Sequence, residues 1–396
     1  MAIKFLYHFV IATLSTATVA VNAQTFAPLR FAGVNIAGFD FGCGIDGTCI
    51  ISQTVPPVYQ LSGVDGLGQM QHFVQNDGYN VFRLPVGWQY LTYNQMTGVL
   101  NETQFANYNM LVSDCLSTGA LCEIDIHNYA RYDGEIIGQG GPSNEIFAEL
   151  WYNIASYWKN EPNVIFGVMN EPHDIPVSHS QNSPRDDVNV AERRTSTLGQ
   201  SLFRYALFVP RLQILLIILG NKCAVTAIRE TGATTQMILL PGNNYTSAQT
   251  FVSSGSAEAL GMVRNPDGTI TNLIMDVHKY LDYDNSGTHA PCVTNNIEDA
   301  WYPLSTWLRE NGRQALNTET GGGNVDSCVG YISQQIGYQA ANSDVILGYL
   351  GWSAGSFAAD YVLSQVPYYN GTGWNDTLLV SMAMSPMTNM LVASVA

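Results

Sequence analysis

The chain has 396 residues, enough to bury a large core, and α/β barrels routinely reach this length as one domain. Charged residues are only 12% of the chain and the formal net charge is −16, which argues against nucleic acid and anionic membranes as partners. Such a composition suits a soluble secreted protein that binds neutral ligands.

The N-terminal stretch MAIKFLYHFVIATLSTATVAVNAQTF places one lysine before an apolar run and then small residues. It predicts a secretory signal peptide over 1–23, cleaved after Ala23 or Ala20. A membrane anchor fits less well, because the run is short and Ser and Thr interrupt it. Eight apolar, β-rich runs follow: 31–39, 81–88, 121–129, 164–172, 236–243, 272–280, 314–322 and 345–355. Each ends in polar or glycine residues. Near-continuous apolar strands belong to parallel sheets. Segments of helical period lie between them, such as ETQFANYNMLVSDCLSTGA and EIFAELWYNIASYWKN. Eight strands alternating with helices predict a single-domain (β/α)8 TIM barrel over 24–396, with its site at the C-terminal ends of the strands.

Seven cysteines fit an oxidising destination. Cys43/Cys49 and Cys115/Cys122 could close short loops, Cys292 and Cys328 could form a third bridge, and Cys223 is left over. No cysteine or histidine spacing resembles a metal site. Asn101, Asn244, Asn370 and Asn375 each open an N-x-[ST] triplet and are candidate glycan sites.

The strand ends concentrate chemistry. They carry Arg83, His127, Asn128, Asn170, Glu171, His278, Tyr280, Glu319 and Trp352. A lone glutamate at a strand end is often a structural ion pair. Two glutamates on the fourth and seventh strands, among His, Asn, Tyr and Trp, are a different matter. Paired carboxylates across a cleft are the minimum equipment for glycoside hydrolysis, one protonated and one ionised. Glu171 is the expected general acid/base, beside Asn170 and His278. Glu319 is the expected nucleophile, kept ionised by Arg83 and Tyr280, in a glycine-rich stretch that would let substrate approach. Trp352 would stack on a pyranose face. The expected mechanism retains configuration, with the carboxyl groups roughly 5–5.5 Å apart.

The motifs RLPVGW, DIHNYARYDG, GVMNEPHD, DVHKYLDYDNSGTHA, TETGGGN and GWSAGSF, in this order, resemble the fungal secreted endoglucanases of glycoside hydrolase family 5. The resemblance covers about 30–175 and 224–380. It implies endo-cleavage of β-1,4-glucan, the two glutamate roles above, and a cleft lined by the other seven residues. It implies no metal and no organic cofactor, and the disulfides Cys43–Cys49, Cys115–Cys122 and Cys292–Cys328. The chain would act on polysaccharide outside the cell as a monomer. No cellulose-binding module or Ser/Thr/Pro-rich linker is visible. A β-mannanase or xyloglucanase would share this machinery, and a non-catalytic glycan-binding barrel is the reading from another class.

Residues 176–225 depart from the pattern. Runs four and five start 72 residues apart, at 164 and 236, whereas the other starts are 31–50 apart. Six of the sixteen basic residues lie here (Arg185, Arg193, Arg194, Arg204, Arg211, Lys222), as does Cys223. A loop insertion, a membrane-associating segment and a translated intron are the competing readings. The intron is favoured, because length, charge and cysteine parity fail at one place.

Overall fold

The computed structural model describes residues 29–175 and 219–390. The predicted signal peptide and most of the anomalous segment lie outside these residues. Eight parallel strands close into a barrel. They are β1 (Phe31–Ala37), β2 (Val81–Val86), β3 (Leu121–Ile126), β4 (Val164–Gly167), β5 (Ile238–Pro241), β6 (Leu273–His278), β7 (Ala315–Thr320) and β8 (Ile346–Gly355). Each falls within its predicted run, and β8 closes on β1.

Helices cover the outside. The main ones are α1 (Gly66–Asp77), α2 (Glu102–Ser117), α3 (Asn144–Trp158), α4 (219–230), α5 (Tyr302–Glu310) and α6 (Asp326–Ala341). In α3, Phe147, Leu150, Trp151, Ile154, Ala155 and Trp158 repeat at helical spacing and are the buried set. Ser143 starts that helix by accepting a hydrogen bond from the Ile146 amide. Asn101 caps α2 the same way, through the Gln104 amide. Among the described residues no helix is long and apolar enough to cross a membrane.

The last seven residues of the anomalous segment, 219–225, open α4. Ala224, Val225 and Ile228 are buried there, so the regular barrel resumes a few residues earlier than its motifs indicate. Cys223 is a half-buried free thiol. The three expected disulfides are all formed. The glycines of TETGGG serve this packing. A Cβ on Gly322 would strike both sulfurs of Cys292–Cys328, and one on Gly323 would strike Ala290. They make room for the disulfide and its loop rather than for substrate.

The lumen is layered. Val81, Ile165, Leu239, Ile274, Leu316, Leu347 and Leu350 come from six different strands yet form one buried cluster. Side chains on so many strands meet only inside the barrel. They plug its lower end. Alternation along a strand then places residues two further on in the same lumen. These are Arg83 after Val81, Gly167 after Ile165, Asp276 after Ile274 and Thr318 after Leu316. The inward face thus turns from apolar to polar towards the C-terminal mouth.

Candidate active site

Arg83 is the hub of the polar layer. It is fully buried. Its guanidinium pairs with Glu319 Oε1, with Asp125 Oδ2 at 3.0 Å and with Glu123 Oε1 at 3.3 Å. It also donates to Asn35 Oδ1 at 3.0 Å and Asn170 Oδ1 at 2.8 Å. One arginine therefore fixes side chains from four other strands or strand ends.

The two glutamates stand above it. One carboxylate oxygen of Glu171, one of Glu319 and a ring nitrogen of His278 all lie within 4.8 Å of one another. His278 Nδ1 is 2.7 Å from Glu171 Oε1 and 3.5 Å from Glu319 Oε2. Tyr280 donates its hydroxyl to Glu319 Oε2 at 2.7 Å. Glu171 has a left-handed φ of 39°. That turn breaks strand alternation and lets neighbouring Asn170 and Glu171 both serve the mouth.

The environments drive the two carboxyls apart. Burial raises the Glu171 carboxyl above its ordinary value, and the Glu319 charge adds to this while His278 opposes it. Burial would raise Glu319 as well. There it is outweighed by His278, Arg83, His127 and the Tyr280 hydroxyl, which together hold Glu319 below the usual carboxylate range. One group is thus disposed to keep a proton and the other to lose it.

Both site histidines have an aspartate two residues earlier on the same strand face. Asp125 Oδ2 lies 2.8 Å from His127 Nδ1, and Asp276 Oδ1 lies 3.8 Å from His278 Nε2. Burial disfavours the charged rings, but the surrounding carboxylates raise both imidazoles overall. Trp352 lies nearly parallel to the His127 ring, 13° apart in plane, and donates its indole N–H to Tyr361 at 3.1 Å.

Eight of the nine expected residues converge here, Arg83 and Asn170 from below. Asn128 does not. Alternation turns it outward, where it accepts from the Trp88 amide at 2.7 Å and donates to Gln89 Oε1 at 2.7 Å. It shapes the loop beneath the rim. The sequence reading missed Tyr129, Asp40, Tyr245, Phe357 and Tyr361, which line the same cleft of about 1090 Å³. Most stand on loops, where no strand periodicity marks them, although Tyr129 follows His127–Asn128 directly. The cleft exceeds the roughly 300–1,000 Å³ of ordinary small-ligand pockets. Asn244, a candidate glycan site, lies on its rim.

Glu123 is fully buried, and beyond its ion pair with Arg83 neither of its oxygens accepts a hydrogen bond. Only a glycine at 167 leaves it space. Burial first, then the Asp276, Asp125 and Glu319 charges, raises its carboxyl well above the usual range against the pull of Arg83. Such an acid stabilises the fold fully below its unfolded value of about 4.3 and loses that contribution as pH rises through its folded value. Glu123→Gln mimics the protonated form. Its thermal midpoint should match wild type at about pH 4 and exceed it progressively towards about pH 8. Parallel curves across that window would show that Glu123 carries no such strain.

Comparison with known proteins agrees with this geometry. Residues 49–357 match the sequence profile described as Cellulase (glycosyl hydrolase family 5). The chain is 52% identical over 365 residues to Endoglucanase EG-II of Hypocrea jecorina, covering 91% of this chain and 78% of that protein. It is 41% identical over 359 residues to Endoglucanase 1 of Saitozyma flava, covering 90% and 89% respectively. The crystal structure of Cel5A (EG2) from Hypocrea jecorina superposes with a TM-score of 0.79 at 52% identity, covering 90% of this chain and 98% of that one. The closed eight-stranded barrel, the paired glutamates at its mouth and a profile match across most of the chain make this protein a glycoside hydrolase, and the chain belongs to the cellulases of glycosyl hydrolase family 5.

Proposed function

We propose that the protein is a secreted endo-β-1,4-glucanase that retains anomeric configuration. The observation that carries this reading is the carboxylate pair, close together and driven apart in proton affinity. With one oxygen of each within 4.8 Å, the pair suits the roughly 5–5.5 Å separation of a retaining enzyme better than the roughly 6.5–9.5 Å at which an inverting pair seats a water. In the first step Glu319 attacks the anomeric carbon while Glu171 protonates the departing glycosidic oxygen. The sugar becomes ester-linked to Glu319 and the shortened chain leaves. Glu171, now ionised, takes a proton from water, which attacks the same carbon and frees Glu319. Arg83 and Tyr280 hold Glu319 ionised and oriented. Asn170 suits a hydrogen bond to the sugar 2-hydroxyl, and the edge of Trp352 that lines the cleft suits contact with a pyranose ring.

A cleft this large supports attack within a polymer rather than at its end. The relatives named endoglucanase support glucan over mannan, and the lysine, apolar run and small residues of 1–23 support secretion. The test is hydrolysis of soluble carboxymethyl-cellulose beside galactomannan. Rapid viscosity loss on the glucan, with little on galactomannan, is expected. Preferential galactomannan cleavage would make the protein a mannanase on the same barrel. Absence of cleavage by a folded protein would leave a non-catalytic glycan-binding barrel. Peptide mapping of the secreted chain tests the favoured reading of the anomalous segment: tryptic peptides from 186–211 would exclude a translated intron.

A further inference from the structure

A second constellation lies away from the cleft, beside the outer helices. His72 and Asp77 sit on the last turns of α1. Asp376 meets them from 304 residues along the chain, directly after a small hairpin made by Tyr368–Tyr369 and Trp374–Asn375. His72 Nε2 lies 2.7 Å from Asp376 Oδ1 and 3.5 Å from Asp77 Oδ2. One donor atom from each of the three fits within a 4.8 Å group. Both α1 residues are more than nine-tenths buried.

The hydrogen bonds leave this cluster unbalanced. His72 Nδ1 is 3.1 Å from Asn76 Oδ1, which can only accept, so a ring proton on Nδ1 has a partner there. Nε2 faces two carboxylates, so the centre they share holds either a proton on Nε2 or a metal ion in its place. Asp77 Oδ2, aimed at that nitrogen, has no hydrogen-bond donor. The buried phenolic oxygen of Tyr79 also has no partner, and Asp77 and Asp376 are among its electrostatic neighbours. Orphaned acceptors around Nε2 call for a positive centre. An imidazole whose other nitrogen donates to an oxygen is also the usual arrangement of a metal-bound histidine.

We propose that His72, Asp77 and Asp376 form a structural site for a divalent transition-metal ion of the zinc or manganese class, which fastens the C-terminal segment to α1. One imidazole and two carboxylates suit such ions, whereas calcium and magnesium prefer oxygen alone. Two positive charges neutralise the two carboxylates. The 3.5 Å between His72 and Asp77 matches two ligands about 2.1 Å from a tetrahedral ion. The His72–Asp376 contact opens by about 0.7 Å to reach the same separation. Water completes the shell. Sequence spacing could not show this site, since its third ligand is distant in the chain.

The test uses the full secreted chain, dialysed against a chelator and then titrated separately with zinc chloride and manganese chloride. One of the ions should bind at one per chain and raise the thermal midpoint by on the order of 5 °C at saturation. Asp376→Asn should lose that rise while keeping its glucanase kcat. Absence of a rise in wild type with either ion, or an equal rise in Asp376→Asn, overturns the proposal. Should Asp376→Asn not fold, anomalous diffraction from metal-soaked wild-type crystals decides it: a peak beside His72 Nε2 supports the site and its absence refutes it. The readouts are stability and occupancy, so the outcome does not depend on the substrate assigned above.

Discussion

Glu319→Gln should fold as wild type and lose kcat on carboxymethyl-cellulose by on the order of 10⁴-fold or more. The amide keeps the shape, its oxygen can still accept from Arg83 and its NH2 can donate to the Tyr280 hydroxyl oxygen, so the variant should stay folded with little change in thermal stability. What disappears is the negative charge that attacks carbon. Without it no ester-linked intermediate forms, and the remaining binding and proton transfer act on a bond that nothing displaces. The pattern matters as much as the size. KM should hold within a few-fold, because sugar contacts are intact, while kcat collapses. Mass spectrometry with a slow fluorinated glucoside substrate should label wild type by one sugar and leave the variant unlabelled. A variant retaining a tenth of wild-type kcat would remove Glu319 from the nucleophile's place.

Much of this was legible in the residues because a parallel barrel writes itself plainly. Strands buried on both faces read as apolar runs, and all eight lie where those runs fall. Parity within a strand carried further information. His127 and His278 each share a face with an aspartate two residues before, and the pairs Asp125–His127 and Asp276–His278 follow from alternation alone. The same parity would have turned Asn128 away from the cleft. It fails at Glu171, where a left-handed residue lets adjacent side chains reach the same mouth. It fails again near Glu319, where the β6–β7 register shifts between Val277 and His278 and pairs His278 with Glu319. Those two irregularities are where the proposed acid and the proposed nucleophile stand. Loop residues such as Tyr361 and Phe357 were invisible for a different reason. Their rings stack 4.0 Å apart and close one side of the cleft, but no period in the chain marks them. The glycines after Glu319 invited a substrate-centred reading, and only packing reveals that they clear space for a disulfide.

Glu171→Ala is expected to slow cellulose cleavage by roughly 10²–10⁴-fold, the usual worth of a positioned acid or base. The loss should depend on the leaving group in a way that Glu319→Gln does not show. A sugar alkoxide departs only when protonated, so glucan cleavage suffers fully. A dinitrophenolate departs without a proton, so the first step on an aryl cellobioside should stay fast. The second step still needs a base, and the glycosyl-enzyme should accumulate, seen as a burst of phenolate followed by slow turnover. Azide, a small anion needing no base, should enter the space left by the carboxyl, restore turnover and give a glycosyl azide of unchanged configuration. The pH profile supplies an independent check. In wild type the alkaline limb of kcat/KM should follow the raised Glu171 carboxyl and the acid limb the lowered Glu319 carboxyl. Glu171→Ala should keep the acid limb and lose the alkaline one. Loss of the acid limb instead, or an inverted azide product, would exchange the roles of the two glutamates or replace retention by inversion.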